Sequence, residues 1–445
     1  MSTRTIDSLY RSSGLRIEPG LPICQVDLPF DWYQEEFKPY AEEYLALPDR
    51  TPESVLPWMD RYLKPALAEF GPRVLLLAHY YMGGEIVKLV ERYGGRIADS
   101  YELALQARSN TQAEFIVESA VHFMADAIAT LAHPHQQVFI TNPRAGCTLE
   151  MFAKEHHVAP AYEELRARYG DQLMVIAYMN TSGRVKALAG ASGGAVCTSG
   201  NAKKVMAWAL QQGKKLLFVP DRNLAEVTCW WSGIPPEQQF QWGGGEEGAR
   251  QQIARMSSAE RERLDRARVI RWGSSCGVHT VFRVDLVDYW RARGYRVLVH
   301  PESPLPVVQA ADGAGSTKYL WAAVEAAQPG DKLAIATEGH FVRNARALAR
   351  QKGVDVVHLA DVPDPAYQSI GCGCATMARN DPPHLVALID LLRKGKVPDA
   401  NRVVAGDVVD EISGVRERLG ADERATLVAD ARRALERMVE ITERG

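Results

Sequence analysis

Three pairs of residues carry most of the chemistry this sequence offers, and they recur in one layout. His79 and Tyr81 close the apolar run "RVLLLAHYY", Tyr178 and Asn180 close "LMVIAYMN", and His300 and Glu302 close "YRVLVHPE". A hydroxyl residue follows each pair. Ser100 and Ser199 lie 21 positions beyond His79 and Tyr178, and Thr317 lies 17 beyond His300. Imidazole, phenol and carboxylate groups are the side chains that move protons in catalysis. Serine and threonine at a helix start cap it, and the backbone N–H groups there favour a carboxylate or phosphate. Caps and strand ends are common without any ligand, so no single position decides the matter. The threefold recurrence points to a shared site.

One cysteine trails each unit. Cys147 ends "QQVFITNPRAGC", Cys276 falls in "RVIRWGSSCGVH", and Cys372 and Cys374 close "AYQSIGCGC". Counted from the preceding acids Glu118, Asp221 and Glu338, the intervals to Cys147, Cys276 and Cys374 are 29, 55 and 36 residues. The long middle interval holds an insertion, about residues 229–268, which reads as a glycine-rich loop and an exposed charged helix. Three thiolates converging from three units suit a [4Fe–4S] cluster with one iron left open, because full cysteine ligation takes four. A zinc site would want four ligands, commonly in close pairs, and Cys372-Gly-Cys374 has no C-x-x-C partner. Buried structural thiols are the competing reading, and the residues alone leave both open.

The elements that must position these groups follow from the alternation. Short apolar runs separated by helical patterns indicate parallel strands joined by right-handed helical crossovers, and in such sheets the carboxyl ends of the strands face the ligand crevice. The polar strand ends therefore fall where chemistry is placed. At 445 residues the chain is too long for one core. The expected organisation is an N-terminal extension over 1–70, α/β units over 71–150, 151–290 and 291–385, and C-terminal helices over 386–445. The last are amphipathic, packed on the first unit or across a homodimer. With 46% apolar and 24% charged residues and a net charge of −3, the composition is that of an ordinary globular protein, with no reason to expect nucleic acid or a membrane as a partner. The N-terminus lacks the apolar core of a secretory signal, which predicts a cytoplasmic location with reduced thiols. No G-x-G-x-x-G follows a strand, which disfavours a dinucleotide-binding dehydrogenase.

In order along residues 70–385, the segments "AHYY", "ADS", "HFMAD", "AGCTLEMF", "AYMNTSGRVKA", "CTSGNA", "PDRNLA", "SSCGVH", "HPESP", "ADGAGST" and "ATEG" resemble the quinolinate synthase family. The resemblance implies three similar three-layer αβα domains with short parallel sheets, in pseudo-threefold arrangement around a central [4Fe–4S] site. It implies condensation of iminoaspartate with dihydroxyacetone phosphate to quinolinate, with loss of water and phosphate. Iminoaspartate would come from L-aspartate oxidase or aspartate dehydrogenase. Carried over by position, the cluster ligands are Cys147, Cys276 and Cys374, and the iron without a thiolate acts as a Lewis acid. Cys24, Cys197, Cys229 and Cys372 have no such role. Tyr81, His300 and Glu302 become the proton-transfer groups. His79, Tyr178, Asn180 and His279 would contact substrate, and Ser100, Ser199 and Thr317 would hold its anionic oxygens. Departures such as Gly84, where the family usually has proline, leave room for a paralogue that runs a related cluster-dependent condensation or dehydration on other substrates. A non-catalytic iron–sulfur carrier would have no use for the histidines, Tyr81 and Glu302.

Overall fold

The computed structural model describes residues 28–244, 248–367, 373–410 and 415–444. Cys24 and Cys372 lie outside the described residues. Three sheets carry the apolar runs. The first holds β1 (Val74–His79), β2 (Arg96–Ala98), β3 (Phe115–Ser119) and β4 (Gln137–Ile140). The second holds β5 (Leu173–Tyr178), β6 (Ala195–Cys197), β7 (Lys215–Val219), β8 (Gln239–Gln241) and β9 (Val269–Arg271). The third holds β10 (Arg296–Val299), β11 (Gly313–Ala314), β12 (Lys332–Ala336) and β13 (Asp355–His358).

One strand order is used three times: β2-β1-β3-β4, β6-β5-β7-β9 and β11-β10-β12-β13. Every pairing within these runs is parallel. The chain is thus α/β, with mostly parallel sheets flanked by helices. All six residues of β5 are buried, as expected for a strand covered on both faces. The helices that follow strands start on the residues the local chemistry selects. Asp99, Ser182, Asp221, Ser316 and Glu338 each accept a hydrogen bond at the N-cap from the N–H three residues on.

Several expectations need correction. The insertion is more than a loop and a helix, since it adds β8 beside β9 and the helices Ala249–Arg255 and Ser258–Arg266. Within it, Trp242 is fully buried. A short strand is missed because three residues give too little period-2 signal. One helix, Pro382–Arg393, runs across the boundary expected at 385/386, and ten of its residues are buried. After it, β14 (Arg402–Val403) pairs antiparallel with β4 and extends the first sheet.

The C-terminal helix Ala421–Glu443 packs chiefly on the second unit, against the helix Gly183–Ala191 and β6, rather than on the first. Gly190 permits this approach, because a Cβ there would lie 1.9 Å from the carbonyl oxygen of Asp430. At the other end of the chain, the helices Lys38–Leu45 and Pro52–Phe70 pack against Pro382–Arg393, where the Tyr40 hydroxyl donates to Asp390 at 2.6 Å. Among the described residues, no helix is long and apolar enough to cross a membrane.

Candidate active site

Strand register shows which residues of the three units are equivalent. Ala78 pairs with Ser119, Ala177 with Val219, and Val299 with Ala336. One position further, His79, Tyr178 and His300 occupy the same strand end, and two residues on come Tyr81, Asn180 and Glu302. The β1–β2, β5–β6 and β10–β11 registers likewise make Ser100, Ser199 and Thr317 equivalent. Ser100 and Thr317 are first residues of their helices, with Asp99 and Ser316 as the caps. Ser199 instead sits in a turn before the helix Ala202–Gln211.

The same register corrects one equivalence. The position of Asp221 and Glu338 is taken in the first unit by Val121. Glu118 lies three residues earlier, inside β3. It is fully buried with no hydrogen bond to either carboxylate oxygen among the described residues, and burial pushes its carboxyl well above the ordinary range. The two true equivalents hold cysteines in place. Cys276 N–H donates to Asp221 and Cys374 N–H donates to Glu338, both at 2.9 Å.

Four side chains from three strand ends and one helix form a continuous hydrogen-bonded path. The Tyr81 hydroxyl lies 3.0 Å from Thr337 Oγ1, which lies 3.1 Å from His279 Nε2. His279 Nδ1 stands 2.7 Å from Glu302 Oε2 and 3.3 Å from Cys276 Sγ. With the Nδ1 proton donated to Glu302, Nε2 is left to accept from Thr337, which in turn accepts from Tyr81. Burial and the charge of Glu302 push the Tyr81 hydroxyl well above its ordinary pKa, so it keeps its proton. Burial raises Glu302, but His279, His300 and Tyr178 outweigh it and hold that carboxylate below its ordinary value. A proton donor and an acceptor therefore face each other across one path. Among the described residues Glu302 Oε1 is buried without a hydrogen bond, and the Tyr178 phenol acts on the same carboxylate.

Thr337 is the residue that sequence reasoning missed. The repeat could not flag it, because the equivalent positions in the other units are Ala120 and Pro220. Two histidines have their tautomers set by the backbone. Tyr81 N–H donates to His79 Nδ1 at 3.2 Å, and Glu302 N–H donates to His300 Nδ1 at 3.4 Å. Both rings then carry hydrogen on Nε2, and that of His300 lies 3.1 Å from Ser199 Oγ. The His279 and His300 rings stack at 4.5 Å.

Burial is the main cause lowering His79 to about 4 and His300 to about 3, from an ordinary 6.5. Between those values and 6.5 the unfolded chain binds protons that the folded protein does not. Stability from these groups is therefore complete above pH 6.5 and falls as pH drops towards 4 or 3, by up to about 1.4 kcal/mol per group per pH unit. Thermal unfolding of metal-free protein should show a lower midpoint at pH 5 than at pH 7. His300→Gln should make that dependence shallower; an unchanged slope would mean His300 is not held neutral.

The candidate cluster ligands differ from the other thiols. Cys147, Cys276 and Cys374 are half-buried, while Cys197 and Cys229 are sealed in the core. Burial is the main cause pushing Cys276 well up, and the charges of Cys147 and Cys374 push it the same way, so the three thiols feel one another. Two of them also meet the strand end of the next unit. Asn180 Nδ2 lies 3.8 Å from Cys147 Sγ, and Glu302 and His279 stand with Cys276 so that one donor atom of each lies within 4.8 Å of the others. Soft sulfur donors with an adjacent carboxylate and imidazole fit a metal centre. Ser100 and Thr317 make no side-chain hydrogen bond among the described residues. The three helix starts are nevertheless neighbours, with Lys318 Nζ 3.4 Å from Glu102 and a Cβ at Gly200 falling 3.4 Å from Ser316 Oγ.

Parallel α/β units whose strand ends gather cysteines, histidines, a tyrosine and a carboxylate around one point define an enzyme with a metal-capable centre. The family model described as "NadA: Quinolinate synthetase A protein" matches residues 66–413. The quinolinate synthase of Corynebacterium glutamicum is 33% identical over 405 residues, covering 90% of this chain and 92% of that protein. That of Acidobacterium capsulatum is 35% identical over 371 residues, covering 81% and 91%. That of Bacillus velezensis is 33% identical over 358 residues, covering 78% and 90%. The chain belongs to the quinolinate synthase family.

Proposed function

We propose that this protein joins iminoaspartate to dihydroxyacetone phosphate to form quinolinate, with Cys147, Cys276 and Cys374 holding a [4Fe–4S] cluster. The observation that carries the reading is the path Tyr81–Thr337–His279–Glu302 ending beside Cys276. The reaction must both give protons to leaving oxygens and take them from carbon and nitrogen. When bound, the cluster supplies a Lewis-acidic iron without a protein thiolate.

The chain's own residues do the rest. Tyr81 donates a proton to substrate, and Thr337, itself held by His279 Nε2, keeps the Tyr81 hydroxyl in place. Glu302, ionised at neutral pH, accepts protons from substrate while His279 Nδ1–H holds its Oε2. His300, with Ser199 on its Nε2, and His79, with Nε2–H turned away from its own backbone, present donors to substrate oxygens. Asn180 sets an amide beside Cys147, and Tyr178 supports Glu302. The helix starts at Ser100 and Thr317, with the Ser199 turn, suit carboxylate and phosphate groups. An enzyme that oxidises aspartate, L-aspartate oxidase or aspartate dehydrogenase, would supply the iminoaspartate.

The test is an anaerobic assay. Protein reconstituted with iron and sulfide, given iminoaspartate and dihydroxyacetone phosphate, should release quinolinate detectable by chromatography. Cluster-loaded protein that makes none from this pair overturns the assignment.

A further inference from the structure

The second unit closes its substrate-side turn differently from the other two. Asp99 caps the first helix start by accepting from Glu102 N–H at 3.0 Å, and Ser316 caps the third by accepting from Tyr319 N–H at 3.4 Å. At the equivalent position Thr198 caps nothing, because its helix begins later, at Ala202. The turn is held instead by Asn201, whose Oδ1 accepts from Thr198 N–H at 2.6 Å. Asn201 is buried, and an amide can be turned either way unless its nitrogen also has a partner.

That partner comes from the last turn of the chain's final helix. Asn201 Nδ2 donates to Thr442 Oγ1 at 2.9 Å. Thr442 Oγ1 spends its own proton on the Met438 carbonyl at 2.7 Å, so it faces Asn201 as an acceptor and fixes the amide. The turn fixed in this way carries Ser199, whose hydroxyl lies 3.1 Å from His300 Nε2. Thr442 lies beyond the 66–413 span matched by the family model.

We propose that Thr442 is a positioning residue for the anion-binding side of the site, acting through Asn201 on the Ser199 turn. The proposal rests on the reading of the substrates given above. Losing the hydroxyl leaves a buried amide N–H without its acceptor and frees the turn to move. The expected consequence is weaker binding of the phosphate-bearing substrate, with the proton path from Tyr81 to Glu302 untouched.

Two measurements separate this proposal from that reading. The first needs no activity: hydrogen exchange over residues 196–203 of the holoprotein, read by mass spectrometry. Thr442→Val should speed exchange in this segment while leaving β10 unchanged, and Thr442→Ser should restore the wild-type rate. The second is steady-state kinetics. Thr442→Val should raise the KM for dihydroxyacetone phosphate roughly three- to tenfold, about what one neutral hydrogen bond is worth, with kcat within about twofold. In a Ser199→Ala background the same change should add little, since both act on one turn. Unchanged exchange in Thr442→Val, or a KM effect fully additive with Ser199→Ala, overturns the proposal. A wild-type protein inactive on these substrates overturns the functional reading, and the exchange experiment still decides whether Thr442 holds the turn.

Discussion

Anaerobically prepared Cys147→Ala, Cys276→Ala and Cys374→Ala proteins are expected to be colourless and inactive. The unaltered protein should carry about four irons and four sulfides, the content of one [4Fe–4S] cluster. Cys197→Ala and Cys229→Ala should keep the brown chromophore and the iron. Their sulfurs are sealed in the core, where they act as small apolar groups. Each of the three proposed ligands follows the last strand that its unit shares with the others, Cys147 after β4, Cys276 after β9 and Cys374 after β13. Cys276 and Cys374 are tied to a strand-end carboxylate through the backbone, and no carboxylate stands at that register for Cys147, whose counterpart residue is Val121. Removing one thiolate of three leaves too few protein ligands to hold the cluster. Iron and sulfide quantification with visible absorption reads the result directly. A different outcome would redirect the assignment: iron lost in Cys276→Ala and His279→Ala but kept in Cys147→Ala and Cys374→Ala would place a single metal ion at the compact Cys276–His279–Glu302 group.

Tyr81→Phe should lower kcat by about 10²–10⁴-fold, the usual cost of losing a general acid, with cluster content and KM nearly unchanged. The ring stays in place against His79, whose centroid is 4.5 Å away, so only the hydroxyl is lost. Because burial and Glu302 raise the Tyr81 pKa, the rate should show no ionisation of this group near neutral pH. Thr337→Val tests the path itself. It keeps Tyr81, His279 and Glu302 but cuts the two hydrogen bonds that join them, so kcat should fall without loss of iron. Steady-state kinetics beside iron quantification checks both variants. Wild-type turnover in Tyr81→Phe with a full cluster would make that tyrosine a wall of the site and nothing more.

The pseudo-symmetric layout puts unlike side chains in equivalent places. The register that aligns His79, Tyr178 and His300 also aligns Tyr81, Asn180 and Glu302: a proton donor, a neutral amide and a proton acceptor on three copies of one strand end. One repeated strand layout thus places acid, amide and base groups at equivalent positions of three units.

Much of this was legible in the residues alone. Parallel strands buried on both faces read as apolar runs with ligand-facing carboxyl ends, so His79, Tyr81, His300 and Glu302 stood out as candidates from local pattern and recurrence. The choice of Cys147, Cys276 and Cys374 as ligands came from the family resemblance. What the tertiary structure alone decided is which of these groups touch. Tyr81 reaches Thr337 across 256 positions of chain, and Ser199 reaches His300 across 101. No local periodicity encodes such pairings, because they depend on how three separate sheets pack against one another. Thr337 was invisible for the same reason: its counterparts Ala120 and Pro220 carry no hydroxyl, so only its position between two side chains reveals it. The strands β8 and β14 were too short to show a period of two. The docking of the C-terminal helix on the second unit turned on Gly190, whose missing Cβ lets two backbones meet, a property that acquires meaning only once the facing Asp430 carbonyl is in place.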